Sequence, residues 1–338
     1  MAETVLVTGG TGYVAGWCVA ELLKRGYTVR TTVRGAAKGE QVRRAVATEV
    51  DPGDRLGFAI ADLTDDEGWA EAMDGVDYVL HVASPLGVDH NGDADSLIVP
   101  ARDGTLRVLR AATAAGVKRV VMTSAANTAS PSSYRDEGVS DETVWTDVND
   151  PTLQPYRRSK TAAERAAWDF MASYNGPTTL ATVLPGAVFG PVLSDSTLGS
   201  VQIISRLLKG MPGTPRIGFE IVDVRDLADA HIRAMTAPEA AGQRFLATGE
   251  FMWMLDMGKA LRDGLGPAGA KAPTRNLPDL AFRGLALFDR NLREIMPALG
   301  RRAVHSTAKA ERVLGWKSRP AAETVVACGQ SLLAHNVV

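Results

Sequence analysis

Cysteine is almost absent from this chain. Cys18 and Cys328 are the two in 338 residues, at opposite ends and in no CxxC pair. That excludes a disulfide scaffold and a cysteine zinc site, and it fits a reducing compartment. Aromatic residues make up 6%, and the five histidines are scattered with no HExxH, which argues against a zinc hydrolase. No stretch approaches the roughly 18 consecutive apolar residues of a membrane span. Neither sign of charge is in excess: 37 Lys and Arg against 39 Asp and Glu leave a net −2, unlike an electrostatic nucleic-acid binder. No targeting segment is visible, since Val5-Leu6-Val7 is far too short for the apolar core of a signal peptide. The expectation is a soluble cytoplasmic protein without a metal, a nucleic-acid partner or a membrane partner.

What the chain does have is an ordinary globular composition, 45% hydrophobic and 22% charged. Near-continuous apolar runs at 5–8, 28–33, 57–61, 78–82, 120–124 and 180–184 read as strands buried on both faces of a parallel sheet. Helical patterns at 15–25, 68–73, 100–115 and 159–174 fall between them. This alternation predicts an α/β fold, a Rossmann-type doubly wound sheet with right-handed crossovers. After about residue 185, Pro and Gly thicken, which predicts a smaller loop-rich lobe over the strand ends. A run at 219–224 reads as a return to the main sheet, followed by a helix at 225–235. The expected division is a dinucleotide-binding part at 1–185, also receiving about 219–248, and an interleaved, mainly substrate-binding lobe at 186–338.

The first strand runs into Gly9-Gly10-Thr11-Gly12-Tyr13-Val14-Ala15 and then a helix. Gly9 permits a sharp turn, Gly12 lets a pyrophosphate approach the backbone, and small Ala15 keeps helix and strand close. The helix start offers unpaired N–H groups and a positive dipole end to the anion. The second strand ends at Arg34, with Lys38 four residues on, about where such folds read the adenine ribose. An acidic residue there would take the 2′-hydroxyl of NAD. Arg34 and Lys38 instead fit the 2′-phosphate of NADP(H); the plainer alternative is a solvated basic loop. Asp62, next to Leu63, places a carboxylate where an adenine amino group could donate. Val82, Ala83 and Ser84 are small enough to leave room for a ribose.

Tyr156 and Lys160 are four apart at the opening of a helix, so they share a face. An ammonium beside a phenol lowers its pKa from near 10 toward neutrality, and the phenol can then exchange a proton with a developing alkoxide. His81 and His231 have no metal or triad partner at useful spacing and read as structural. Trp168 and Trp316 read as packing anchors. Arg43-Arg44 and Arg301-Arg302 read as solvated faces.

Taken together, Val7-Thr8-Gly9-Gly10-Thr11-Gly12-Tyr13-Val14-Ala15, Thr32-Val33-Arg34, His81-Val82-Ala83-Ser84-Pro85, the run Ser159–Trp168, the run Val222–His231 and the run Lys309–Lys317 resemble an extended short-chain dehydrogenase/reductase. Within that family the chain is most similar to the dihydroflavonol reductase, cinnamoyl-CoA reductase and aldehyde/ketone reductase group. The resemblance implies a Ser-Tyr-Lys set acting with NADPH. Tyr156 and Lys160 match, Lys160 also holding the nicotinamide ribose, and the turn with Pro185, Ala187 and Val188 positions the nicotinamide. The serine departs from the pattern. Where the family usually reads Thr-Ser-Ser, this chain has Thr123-Ser124-Ala125. Ser124 is the candidate for the vacant role, although on an extended strand it would point to the other face. Asn127 or Thr128 could supply the hydrogen bond instead, or the carbonyl is oriented without a third donor. The sequence also lacks the Arg and Asn that sugar-nucleotide epimerases carry before Phe189-Gly190-Pro191.

The leading expectation is NADPH-dependent reduction of an aldehyde or ketone, in a pocket shaped by Leu86, Val88 and residues 190–218. The substrate would be apolar or aryl, and the protein a monomer or homodimer. The alternatives are a sugar-nucleotide or sterol-type epimerase/dehydrogenase with tightly held NAD, and a non-catalytic dinucleotide-binding redox sensor.

Overall fold

A computed structural model describes residues 2–85, 95–132, 138–195, 199–288 and 290–338. Leu86 and Val88 lie outside the described residues. Seven strands form the main sheet: β1 (Thr4–Val7), β2 (Thr28–Val33), β3 (Leu56–Ile60), β4 (Tyr78–His81), β5 (Arg119–Thr123), β6 (Thr179–Pro185) and β7 (Gln243–Ala247). All pairings are parallel, in the spatial order β3-β2-β1-β4-β5-β6-β7. The strand order reverses between β1 and β4, which opens a crevice at their carboxyl ends.

The apolar runs become central strands because both faces are covered. Val5 and Val7 pack with Leu80, Val121 and Val183 in one core, while Leu6, Val79, Val120 and Leu180 pack in the other. Neighbouring residues therefore alternate between two dry interfaces. The first core is closed by α1 (Tyr13–Lys24), α2 (Ala36–Ala47) and α7 (Val224–Thr236). The second is closed by α3 (Trp69–Met73), α4 (Asp95–Ala114) and α5 (Pro155–Ser173).

The run expected to return to the main sheet does not do so. Residues Gly218–Asp223 form the middle of a separate three-stranded sheet, between Ala187–Phe189 and Phe251–Trp253. The strand that does return is β7, at the edge beside β6. An apolar run demands burial, and a third core satisfied that demand. Phe189, Ile221, α6 (Val201–Lys209) and the helices Met254–Leu265 and Ala321–Ala334 make up that core. Burial pushes the Cys18 and Cys328 thiols up to about 12, so both behave as small apolar fillers. Trp316 is buried, with its indole N–H on the Asp226 carbonyl. Arg43 is not a solvated face: it donates to the Gly53 and Leu56 carbonyls and stacks on Phe58.

Candidate active site

The turn after β1 is built by backbone demands. Gly9 has φ +73°, and a Cβ on it would come within 2.9 Å of the Ala83 Cβ, so a side chain is excluded both by strain and by space. The Gly9 N–H donates to Thr32 Oγ1 (2.8 Å) and the Gly10 N–H to the Thr32 carbonyl (2.9 Å), which pins the turn to β2. Gly12 is the N-cap of α1 and has no side-chain cap, so the first-turn amides remain available to an anion. Thr11 and Gly12 are exposed, Tyr13 and Val14 half-buried, and a pocket opens beside them lined in part by Gly10, Val42 and Leu193. The Tyr13 hydroxyl donates to the Gly190 carbonyl (2.8 Å), so this residue offers the site its backbone and not its phenol.

Arg34 is exposed and makes no hydrogen bond or ion pair among the described residues. Lys38 lies in the first turn of α2, a helix rather than a loop, and donates to Gln41 (3.2 Å). Asp62 accepts from the Thr64 N–H and hydroxyl, which hold its carboxyl below the usual range. Leu63 is half-buried against Gly104. Val82, Ala83 and Ser84 are half-buried at the end of β4, opposite the glycine turn. The two are laced together: the Ala83 N–H donates to the Thr8 hydroxyl (2.9 Å), which meets His81 Nδ1 at 3.0 Å. Burial, helped by the Lys160 charge, pushes His81 down to about 3, so the ring is a neutral strut. Pro185 is buried at the end of β6, whereas Ala187 and Val188 are half-buried in the neighbouring short strand. A Cβ at the intervening Gly186 would sit 2.4 Å from the Glu220 carbonyl oxygen.

Tyr156 and Lys160 both lie in the first two turns of α5, which opens with Pro155. Lys160 is 6% exposed and donates to the Thr123 carbonyl at the end of β5 (3.3 Å). Burial lowers its pKa to about 8, against the opposing pull of Glu164. Tyr156 keeps 39% of its surface open, so small molecules can reach it. The protein packed around its phenol nevertheless raises its pKa to about 12. The expected acidification is thus corrected: the Lys160 ammonium is turned to Thr123, no hydrogen bond joins it to the phenol, and burial outweighs any nearby charge.

Ser124 is a second correction. It is 1% exposed, and its hydroxyl donates to the buried Glu164 Oε2 at 2.6 Å. Strand alternation turns it there, as the extended backbone demands. Thr128 is spent in the same way, on Glu164 Oε2 (2.6 Å) and the Ala125 carbonyl (2.9 Å).

Sequence reasoning missed the platform beneath the site. Glu164 is fully buried, paired with Arg244 at 2.8 Å, and it also accepts from Thr182 (2.9 Å). Burial presses its carboxyl up, but Arg244, Ser124 and Thr128 outweigh that and hold it below the usual range. Arg244 lies 3.6 Å over the Trp145 ring. The signal was present: Glu164 follows Lys160 by one turn on the same face. Arg157 was also missed. It is buried and donates to the Asn127, Ser130 and Pro131 carbonyls, clamping the loop after β5 to α5. His231 is a second neutral strut, pushed down to about 4 by burial and holding Thr123 Oγ1 at 2.7 Å.

The chain is similar to known proteins over most of its length. Cinnamoyl-CoA reductase 1 of Arabidopsis thaliana is 38% identical over 250 residues, 72% of this chain and 70% of its own length. Ketoreductase azaE of Aspergillus niger is 33% identical over 309 residues, 86% of this chain and 90% of its own. The crystal structure of Gre2 in complex with NADPH from Candida albicans superposes with a TM-score of 0.83 at 28% identity, covering 98% of this chain and 99% of that one. A family model matches residues 5–247, the greater part of the sheet and both ends of the crevice, and the chain therefore belongs to the NAD dependent epimerase/dehydratase family.

Proposed function

We propose that this chain reduces an aldehyde or ketone to the alcohol with NADPH. The observation that carries the reading is the pair Tyr156 and Lys160 on the first turns of α5, held at the carboxyl end of β5 in a sheet whose first strand runs into a glycine turn with an uncapped helix start. The NADPH-bound relative and the reductase names of the similar proteins support it. The residues present also fit the dinucleotide, since Arg34 is exposed and makes no hydrogen bond or ion pair among the described residues, and the Gly9 turn has no space for a side chain.

Backbone from Gly9 to Val14 would hold the pyrophosphate, Arg34 and Lys38 the 2′-phosphate, and Asp62 and Leu63 the adenine. Val82, Ala83 and Ser84 would line the ribose, and Pro185, Ala187 and Val188 the nicotinamide. When bound, NADPH supplies a hydride to the carbonyl carbon. The C=O π pair moves onto oxygen, and that oxygen takes the phenolic proton of Tyr156. A phenol with a raised pKa suits this direction, because it is protonated at neutral pH and an alkoxide is a far stronger base than a phenolate. Solvent then restores the proton through the open face of Tyr156. Lys160 would steady the ribose and the phenolate that forms.

The test is loss of NADPH absorbance with a panel of aryl and medium-chain aldehydes and ketones. Tyr156→Phe should lower kcat by about 10²–10⁴ and leave NADPH binding intact. Near-normal turnover in that variant would remove Tyr156 from the reaction. Silence of the native protein toward every carbonyl, with NADPH still bound, would favour the redox-sensor reading.

A further inference from the structure

We infer that the side-chain amide of Asn127 is the hydrogen-bond donor that orients the substrate carbonyl, in the role left vacant at Ala125. This rests on the reductase reading above. Along the run from Thr123 to Thr128 every other polar side chain is already spent. The Thr123 hydroxyl meets His231 at 2.7 Å, Ser124 and Thr128 each donate to Glu164 at 2.6 Å, and Ala125 and Ala126 have nothing to give. Asn127 differs. Its Oδ1 is buried without a partner, and its amide nitrogen makes no hydrogen bond among the described residues. A buried amide without a partner is costly, and a carbonyl oxygen, itself an acceptor, can complete only its N–H side.

The backbone of Asn127, by contrast, is firmly held. Its carbonyl accepts from the Thr146 hydroxyl (2.7 Å) and from Arg157 Nε (3.0 Å). Arg157 adjoins Tyr156 in the first turn of α5. The amide is therefore carried by a rigid loop one hydrogen bond away from the turn that bears the phenol. A carboxamide pivots about its last bond and can present N–H where a serine would present O–H. During reduction that N–H would hold the carbonyl oxygen while the hydride arrives from NADPH and the proton from Tyr156.

Asn127→Ala, Ala125→Ser and the double variant test this, read by kcat, KM for the carbonyl and NADPH affinity. Asn127→Ala should lose about 10²–10³ in kcat with NADPH affinity unchanged. Adding Ala125→Ser should restore most of that loss, because a hydroxyl then stands where the family has one. Full activity in Asn127→Ala overturns the inference. So does a double variant no better than the single one, or an Asn127→Ala protein that no longer folds or binds NADPH, since each makes the side chain idle or structural. If the native protein reduces no carbonyl, the reductase reading falls as well. An active native protein with an indifferent Asn127→Ala sinks this inference alone.

Discussion

Lys160 holds a charge in a place that disfavours one. Its folded pKa of about 8 lies below the ordinary lysine value near 10.4, so between these two the unfolded chain binds more protons. Stability contributed by this residue therefore rises with pH across that window, and below it the buried ammonium is a net cost. Lys160→Met should be inactive yet more stable at pH 7 by about 1–3 kcal/mol in urea unfolding, the gap closing above roughly pH 10. Native activity should fall as pH rises through about 8, where Lys160 loses its charge. Arg34 makes a separate prediction. Arg34→Ala should weaken NADPH by about 10- to 150-fold and leave NADH affinity unchanged, because a charge-assisted bond to the 2′-phosphate contributes about 1.5–3 kcal/mol. At this scale the sequence was a fair guide to position and a poor one to chemistry. Spacing placed Tyr156 and Lys160 on one helix face, but the direction of the phenol's pKa depended on how much protein surrounds it, which no local pattern records.

Helix α5 is fixed to the sheet by polar groups as well as by its apolar face. Glu164 ties it to β7 through Arg244 and to β6 through Thr182. Glu164→Ala should cost about 3–5 kcal/mol, measured by denaturant titration, because it strands the buried Arg244 guanidinium. The Glu164 carboxyl is held below its ordinary range, so its contribution is present above about pH 4.3 and is lost as acid protonates it in the folded state. Elements were legible where burial wrote them plainly. All six strands expected in the first half of the chain are present, within a residue or so at each end. Helix α2 was not read, because Gly35 and Gly39 flank a start with no side-chain cap. Residues 219–224 were read as a strand of the main sheet, whereas Gly218–Asp223 belongs to the smaller one, since hydrophobicity says that a segment is covered and not what covers it.

Across the whole molecule, a buried joint links the three-stranded sheet to the loop after β5. His305 Nδ1 meets Glu220 Oε2 at 2.5 Å, and its Nε2 meets the Ser130 hydroxyl at 2.8 Å. Glu220 belongs to the three-stranded sheet, whereas Ser130 lies in the loop after β5 that Arg157 clamps. Glu220→Ala should lower the melting temperature, since losing a buried partner costs about 1–3 kcal/mol. It should also raise KM for the carbonyl while leaving NADPH affinity unchanged, because the glycine turn is anchored to β2 and β4 instead.

The rod that carries Tyr156 and Lys160 is also the rod that Glu164 rivets to the sheet. One inserted residue between the phenol and the rivet would swing that ring by about 100° around the axis. The stretch from Tyr156 to Glu164 is therefore bound to one length, since an insertion parts the phenol from its place even where every side chain is kept.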